Sequence, residues 1–468
     1  MISEKRRFKL LLSPWFKVSA AYFFMHAIII VILDEVTAFA PDENIYLEIF
    51  KRVAMGDSSL EGFAGWPIKN EFFLKLIYFP AAVLVMFGFT ELQSIRILSS
   101  LVSYLSLFVL YSLAGDNRIM GMRQKNWIVF GFFFPSIILW STLGLRESFI
   151  FLWISCIFYS LKKFLDSSRV AYAFALLSSS AALVLTKDYL YANLAIACIL
   201  STLIIVVAKR TFDFSYLIIL TMVLAPIVLS PETRFSLLTG AKFIVAQKIV
   251  EQSPNSPSKT ATGLNIDPYS DSNSKLDRGE TLQNVLNQAE NNQRFWFILE
   301  KSGIYEQLNS QAVPVSSTSS SKETEEVASS LPDYREKLTI TPASLRNPVS
   351  LFTGVAGFLL KPFPFFDNGS FFVNVLSYES FFWFLIYGLM VTIIYRLVRG
   401  EDRWNLSSII TILFIVGFLF QSALMEINIG TAFRHRSILL IGILALCAVS
   451  SDKRDSDQTV SGVSKSSP

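Results

Sequence analysis

Mostly apolar stretches, most near 20 residues and some shorter, recur along this chain, at 16–33, 92–113, 127–143, 148–161, 170–186, 190–208, 212–230, 377–395, 405–425 and 437–450. A backbone amide inside a bilayer has no water to bond to, so such a segment crosses only as a helix that satisfies its own hydrogen bonds. The fold class that follows is all-α: a polytopic membrane helix bundle of about ten transmembrane helices. Composition agrees, since 52% of the 468 residues are hydrophobic and only 17% are charged, far from the average of soluble domains.

The basic residues set the orientation. Lys5, Arg6, Arg7 and Lys9 precede the first stretch, which Asp34 and Glu35 close with no small-residue cleavage site, so it reads as a retained helix rather than a signal peptide. Starting from a cytoplasmic N-terminus, the alternating connections place Arg118, Arg123 and Lys125, then Lys162, Lys163 and Arg169, then Lys209 and Arg210, then Arg396, Arg399 and Arg403, and finally Lys453 and Arg454 on the inner side. Every dense basic turn then obeys the positive-inside rule, and both termini are expected to be cytoplasmic. Two further apolar stretches, 72–89 and 351–360, stay out of this count. A crossing by 72–89 would invert the basic turns, so this stretch is expected to be an interfacial or re-entrant helix on the outer side.

Four regions result. Residues 1–230 hold the N-terminal membrane helices and an acidic first outer loop, 231–350 form a large outer loop, 351–450 hold the C-terminal membrane helices, and 451–468 form a cytoplasmic tail. The Ser- and Pro-rich runs at 253–258 and 316–321 mark the large loop as partly disordered, with a helical piece expected around 281–305. Cys156, Cys198 and Cys447 all fall in apolar stretches, which suggests neither a disulfide framework nor a zinc cluster.

Chemistry is expected where helices meet the outer surface, because unusual polar residues gather in those connections. They include Asp42 and Glu43 in the first outer loop, Arg146 beside Glu147, Lys187 with Asp188 and Tyr189, Lys361 followed by Asp367 and Glu379, and Arg434-His435-Arg436 between the last two apolar stretches. Basic residues on that side break the charge rule and call for a chemical reason. Together the cations suit a ring around one anionic group, and the planar fork of arginine suits a diphosphate in particular. Asp42 and Glu43 offer a general base. His435 offers a base or a phosphate donor, with a neutral ring favoured by the like charge of its two neighbours. The plainer alternatives are solvated loop carboxylates, local ion pairs for Arg146–Glu147 and Lys187–Asp188, and a helix-capping histidine. His26, inside the first stretch, reads as packing.

The acidic first outer loop with Asp42, Glu43 and Tyr46, the apolar segment after it, and Ser94-Ile95-Arg96-Ile97-Leu98 opening a long helix resemble the GT-C superfamily of polyprenol-dependent glycosyltransferases. The turns at Leu145-Arg146-Glu147-Ser148 and Leu185-Thr186-Lys187-Asp188 sit where that family lines its active site. Leu360-Lys361-Pro362-Phe363-Pro364 and Gly430-Thr431-Ala432-Phe433-Arg434-His435-Arg436 are similar to segments of Wzy-type O-antigen polymerase-like membrane proteins. The likeness covers most of the membrane part and none of 240–350, a loop without the dense basic character of a polymerase's main substrate loop.

What the resemblance implies is glycan transfer at the outer face of a bacterial inner membrane. Asp42, Glu43 or His435 would act as catalytic groups, while Arg146, Lys187, Tyr189, Lys361, Arg434 and Arg436 would bind a polyprenyl-diphosphate-linked glycan. A divalent cation beside Asp42 and Glu43 is compatible with two carboxylates but not required by them. The expected partners are membrane lipids and other polysaccharide-assembly proteins, and no nucleic acid. The alternatives are a transporter or flippase for the same lipid-linked glycans, or a structural component of a polysaccharide export complex.

Overall fold

The computed structural model describes residues 14–34, 43, 46–47, 80–210, 213–229, 348–361, 371–402, 404–425 and 429–450. All of them fall within one compact unit. In chain order the helices are α1 (Pro14–Asp34), α2 (Glu91–Leu113), α3 (Gln124–Phe132), α4 (Pro135–Thr142), α5 (Glu147–Ser167), α6 (Val170–Thr186), α7 (Asp188–Lys209), α8 (Phe214–Leu229), α9 (Pro348–Leu360), α10 (Phe371–Val398), α11 (Leu406–Met425) and α12 (Ile429–Val449). A two-stranded antiparallel hairpin, β1 (Arg118–Ile119) and β2 (Met122–Arg123), joins α2 to α3.

The protein is an all-α polytopic membrane bundle. Seven of these helices are long and apolar enough to cross a membrane: α1, α2, α5, α7, α10, α11 and α12. The apolar helices α6 and α8 are shorter, at 17 and 16 residues. The expected span at 127–143 is instead two short helices, α3 of nine residues and α4 of eight. The chain breaks at Phe134, which is extended at φ −62° and ψ 135°, immediately before Pro135 at the first position of α4. Proline has no N–H to give an upstream carbonyl, and its ring disfavours a helical residue before it.

The two ends of the bundle are stitched separately. At one, Gln124 at the start of α3 donates to the Ser450 carbonyl after α12 (2.8 Å), while Arg396 near the end of α10 donates to the Arg118 carbonyl (2.9 Å) and pairs with Asp402. At the other, the start of α5 meets the first turns of α12, and the start of α7 does the same. Connections that the charge rule assigns to a shared face therefore lie together. α12 runs through the middle, with 94% of Ala432–Val449 buried.

Small polar residues let the helices approach. Ser99 and Ser106 on α2 meet Ser148 and Ser155 on α5 at 2.8 and 2.6 Å, replacing bulk with hydrogen bonds across the seam. A Cβ on Gly144, in the turn from α4 to α5, would lie 2.2 Å from Cγ2 of Ile95, so only glycine lets that turn rest on α2. His26 does more than pack. Its Nδ1 lies 2.9 Å from the Tyr22 carbonyl and its Nε2 2.8 Å from Oγ of Ser141, joining α1 to α4.

Of the 72–89 stretch, the described part is helical through residues 80–86 and turns at Phe87 and Gly88 into α2. At 13 residues and about 20 Å, α9 is too short to cross. Its last carbonyls are capped inside the bundle by Tyr387, whose hydroxyl donates to Leu359 O at 2.8 Å, and by Arg436. The large loop up to residue 347, its helical piece at 281–305, and the 451–468 tail lie outside the described residues.

Candidate anion-binding site

Three connections at one end of the bundle converge. The turn Leu143–Arg146 brings α4 into α5, Lys187 joins α6 to α7, and α12 begins beside both. Glu147 and Asp188 open their helices, where a carboxylate suits the positive end of the helix dipole. The Asp188 carboxylate also accepts the Tyr189 N–H at 2.9 Å.

Glu147 is the centre of the cluster and is fully buried. Its Oε1 accepts a 2.6 Å hydrogen bond from Nε of Arg434, and Lys187 and Arg146 lie within electrostatic reach of the same carboxylate. Nζ of Lys187 stands 5.1 Å from the centroid of the Tyr189 ring. The Tyr189 hydroxyl lies 3.1 Å from Nε2 of His435, and the Arg434 guanidinium sits 5.8 Å over the Trp140 ring. Burial works against the charge of Arg146. Tyr46, Glu147 and Tyr189 outweigh both that and the repulsion from Arg434, holding its guanidinium above its ordinary value.

Arg434, His435 and Arg436 were expected in a connection between spans but lie in the second turn of α12. A helix rotates about 100° per residue, so three neighbours cannot line one wall. Arg434 turns to Glu147 and Trp140. His435, 8% exposed, turns to Tyr189 and the Phe418 ring. Arg436, fully buried, turns away from both, lying 4.6 Å from the Phe433 ring and 6.0 Å from that of Trp383 while donating to the Leu359 and Lys361 carbonyls. It caps the C-terminal end of α9, where Lys361 contributes its main chain.

Five of the expected residues thus come together: Arg146, Lys187, Tyr189, Arg434 and His435. Arg436 and Lys361 meet each other elsewhere. Both oxygens of Glu43 face Arg96, at 2.8 Å from Nε and 3.0 Å from Nη2, with the two side chains 1% and 0% exposed. Glu43 also accepts the Gly144 N–H at 3.4 Å, so it braces the turn that carries Arg146. A carboxylate held by both prongs of a buried guanidinium is arranged for positioning rather than for taking a proton. Asp42 lies outside the described residues. Among those described, no group of three His, Cys, Asp or Glu side chains gathers that could hold a metal ion.

Trp140 carries the arrangement without having been singled out, while Glu147, Arg96 and Glu379 were read only as an ion-pair partner, part of a helix-opening motif and an outer-side polar residue. Arg146-Glu147 read as a local ion pair, whereas the hydrogen-bonded partner of Glu147 lies 287 residues away. Glu379, 2% exposed, accepts from the Ser136 N–H and Oγ, both at 2.6 Å, and from Nε1 of Trp383 at 2.8 Å. A buried acid inside an apolar run was the one signal in the chain that could have marked it.

Two guanidinium groups and an ammonium, brought from two connections and the second turn of α12, can hold a phosphate-type anion through several donors at once, with the imidazole beside them held by the phenol. No family model, no curated protein and no solved structure matches this chain.

Proposed function

We propose that this chain is a membrane-embedded glycosyltransferase or polysaccharide polymerase that uses a polyprenyl-diphosphate-linked glycan at the outer face of a bacterial inner membrane. The observation that carries the reading is the convergence of Arg146, Lys187 and Arg434, from three separate turns, on one buried spot at the end of the bundle. Buried cations in a membrane protein are expensive to maintain and mark sites for anionic partners.

In this reading the diphosphate rests against the cations while its lipid stays in the bilayer. The acceptor hydroxyl gives its proton to His435, held by Tyr189, or to Asp42, and its oxygen attacks the anomeric carbon. The bond from that carbon to the diphosphate oxygen breaks, and the leaving diphosphate keeps its charge against Arg146, Lys187 and Arg434 without a protonating acid. With Glu43 committed to Arg96, neutralising the leaving group falls to these side chains rather than to a cation held by that carboxylate.

One observation favours translocation of the same lipid-linked glycans as a second reading. Glu379, Tyr387 and Arg436 form a deeper polar layer where α4 starts and α9 ends, and interrupted helices of this kind line the binding sites of transporters. Replacing Arg434 or His435 by alanine in cells and following the lipid-linked intermediates separates the two. Single repeat units building up on the outer leaflet support transfer, and build-up on the inner leaflet supports translocation. Full tolerance of alanine at Arg146, Lys187 and Arg434 would leave only a structural role in an export complex.

A further inference from the structure

We propose that Glu379 is a positioning residue for the anion site, acting through the half-helix α4, whose far end delivers Trp140, Arg146 and Glu147. This rests on the outer cluster being an anion site.

α4 begins at the break after α3, so the N–H groups of its first turn have no preceding helical turn to complete them. The chain's own residue at the cap position is Phe134, which makes no side-chain capping bond. The missing acceptor comes from α10 instead, as Glu379 receives both the backbone N–H and the hydroxyl of Ser136. A carboxylate matches the positive end of a helix better than a neutral cap does. Nε1 of Trp383, one turn along α10, fixes the carboxylate from its own helix.

From that anchor the half-helix runs straight to the site. Trp140 follows Ser136 by four residues, so the two lie on one face of α4, and the Trp140 ring carries the Arg434 guanidinium. Two residues beyond Trp140 the helix ends, and the tight turn through Gly144 leads to Arg146 and Glu147. Glu43 pins the turn that follows α4 and Glu379 pins the first turn of α4, so α4 is a strut between two carboxylates supplied by other parts of the chain. A break in a membrane helix that lets one half be set independently is consistent with a strut that places a site. Glu379 itself faces Ser136, Trp383, Tyr387 and Arg436 rather than the anion cluster.

The test uses the full chain in lipid nanodiscs, labelled with 5-fluorotryptophan, with the Trp140 resonance assigned from Trp140→Phe and farnesyl diphosphate as the probe. Glu379→Gln, which keeps one acceptor oxygen and loses the charge, is expected to shift the Trp140 resonance before any probe is added. It should also weaken probe binding about tenfold. Glu379→Asp restores the charge on an arm one methylene shorter and should recover only part of the affinity, with the Trp140 resonance still displaced. Weaker binding with an unmoved Trp140 resonance, in step with a loss of folded protein, means a structural role only and overturns the proposal. If Glu379→Gln does not fold, Glu379→Asp decides: a displaced Trp140 resonance with reduced affinity supports the proposal, and wild-type values for both overturn it. Arg434→Ala serves as the separate control. Unchanged probe binding in that variant sinks the anion-site reading itself, whereas lost binding there with wild-type behaviour of both Glu379 variants sinks only the role of Glu379.

Discussion

Arg434 and Arg436 are two residues apart and do different things. Arg434 neutralises a buried carboxylate beside the other cations, while Arg436 closes the end of the short helix α9. Removing one member of a buried pair strands the other, at a cost of about 3–5 kcal/mol. Arg434→Gln and Glu147→Gln are each expected to lower the unfolding free energy by that order. The double variant should lose clearly less than the sum, as read from thermal unfolding in detergent. Tyr189→Phe removes the hydroxyl beside His435 Nε2 and leaves every cation in place. It should slow glycan transfer about tenfold or more while probe binding stays as in wild type, a split that assays of rate and of affinity would resolve. Equal loss of both would mean that Tyr189 serves the anion rather than the imidazole.

At the scale of elements, the crossing built from α3 and α4 departs most from its sequence pattern. Hydropathy sums over a window and does not register a break, so 127–143 reads as one apolar stretch although Pro135 is plainly within it. What makes the break tolerable is the capping carboxylate of Glu379, some 240 residues further on, and sequence adjacency carries no trace of that pairing. The turn after α4 rests on Gly144 against Ile95. Gly144→Ala should destabilise the protein by about 1–3 kcal/mol through overpacking. In an Ile95→Ala background, which removes the obstructing Cγ2 at its own cavity cost, Gly144→Ala should cost clearly less than it does in the wild type. An equal cost in both backgrounds would mean that the strain lies elsewhere.

For the whole molecule, the charge rule and the contacts at the two ends of the bundle agree on which connections share a face. Cysteines placed at Asp116 and Arg399 should react with a membrane-impermeant maleimide from the cytoplasmic side only, and one at Thr90 from the outer side only. Among the native thiols, Cys198 and Cys447 are buried and Cys156 is partly so, which leaves a low background. Labelling of Asp116→Cys and Thr90→Cys from the same side would overturn the topology.

Apolar length and the placement of basic residues are properties of a line, and the amino-acid order alone determined the helical class, the seven long apolar helices and the connections that share an end. It also marked five of the residues that meet, because polar groups forced to one end of a bundle have few places to go. Partnership is a property of rotation and packing. The roughly 100° step of a helix sends Arg434, His435 and Arg436 to three different neighbours, and burial of Arg96 on α2 draws Glu43 into a pair. Which carboxylate stands among the cations, and which one braces the half-helix beneath them, was decided only when distant segments packed.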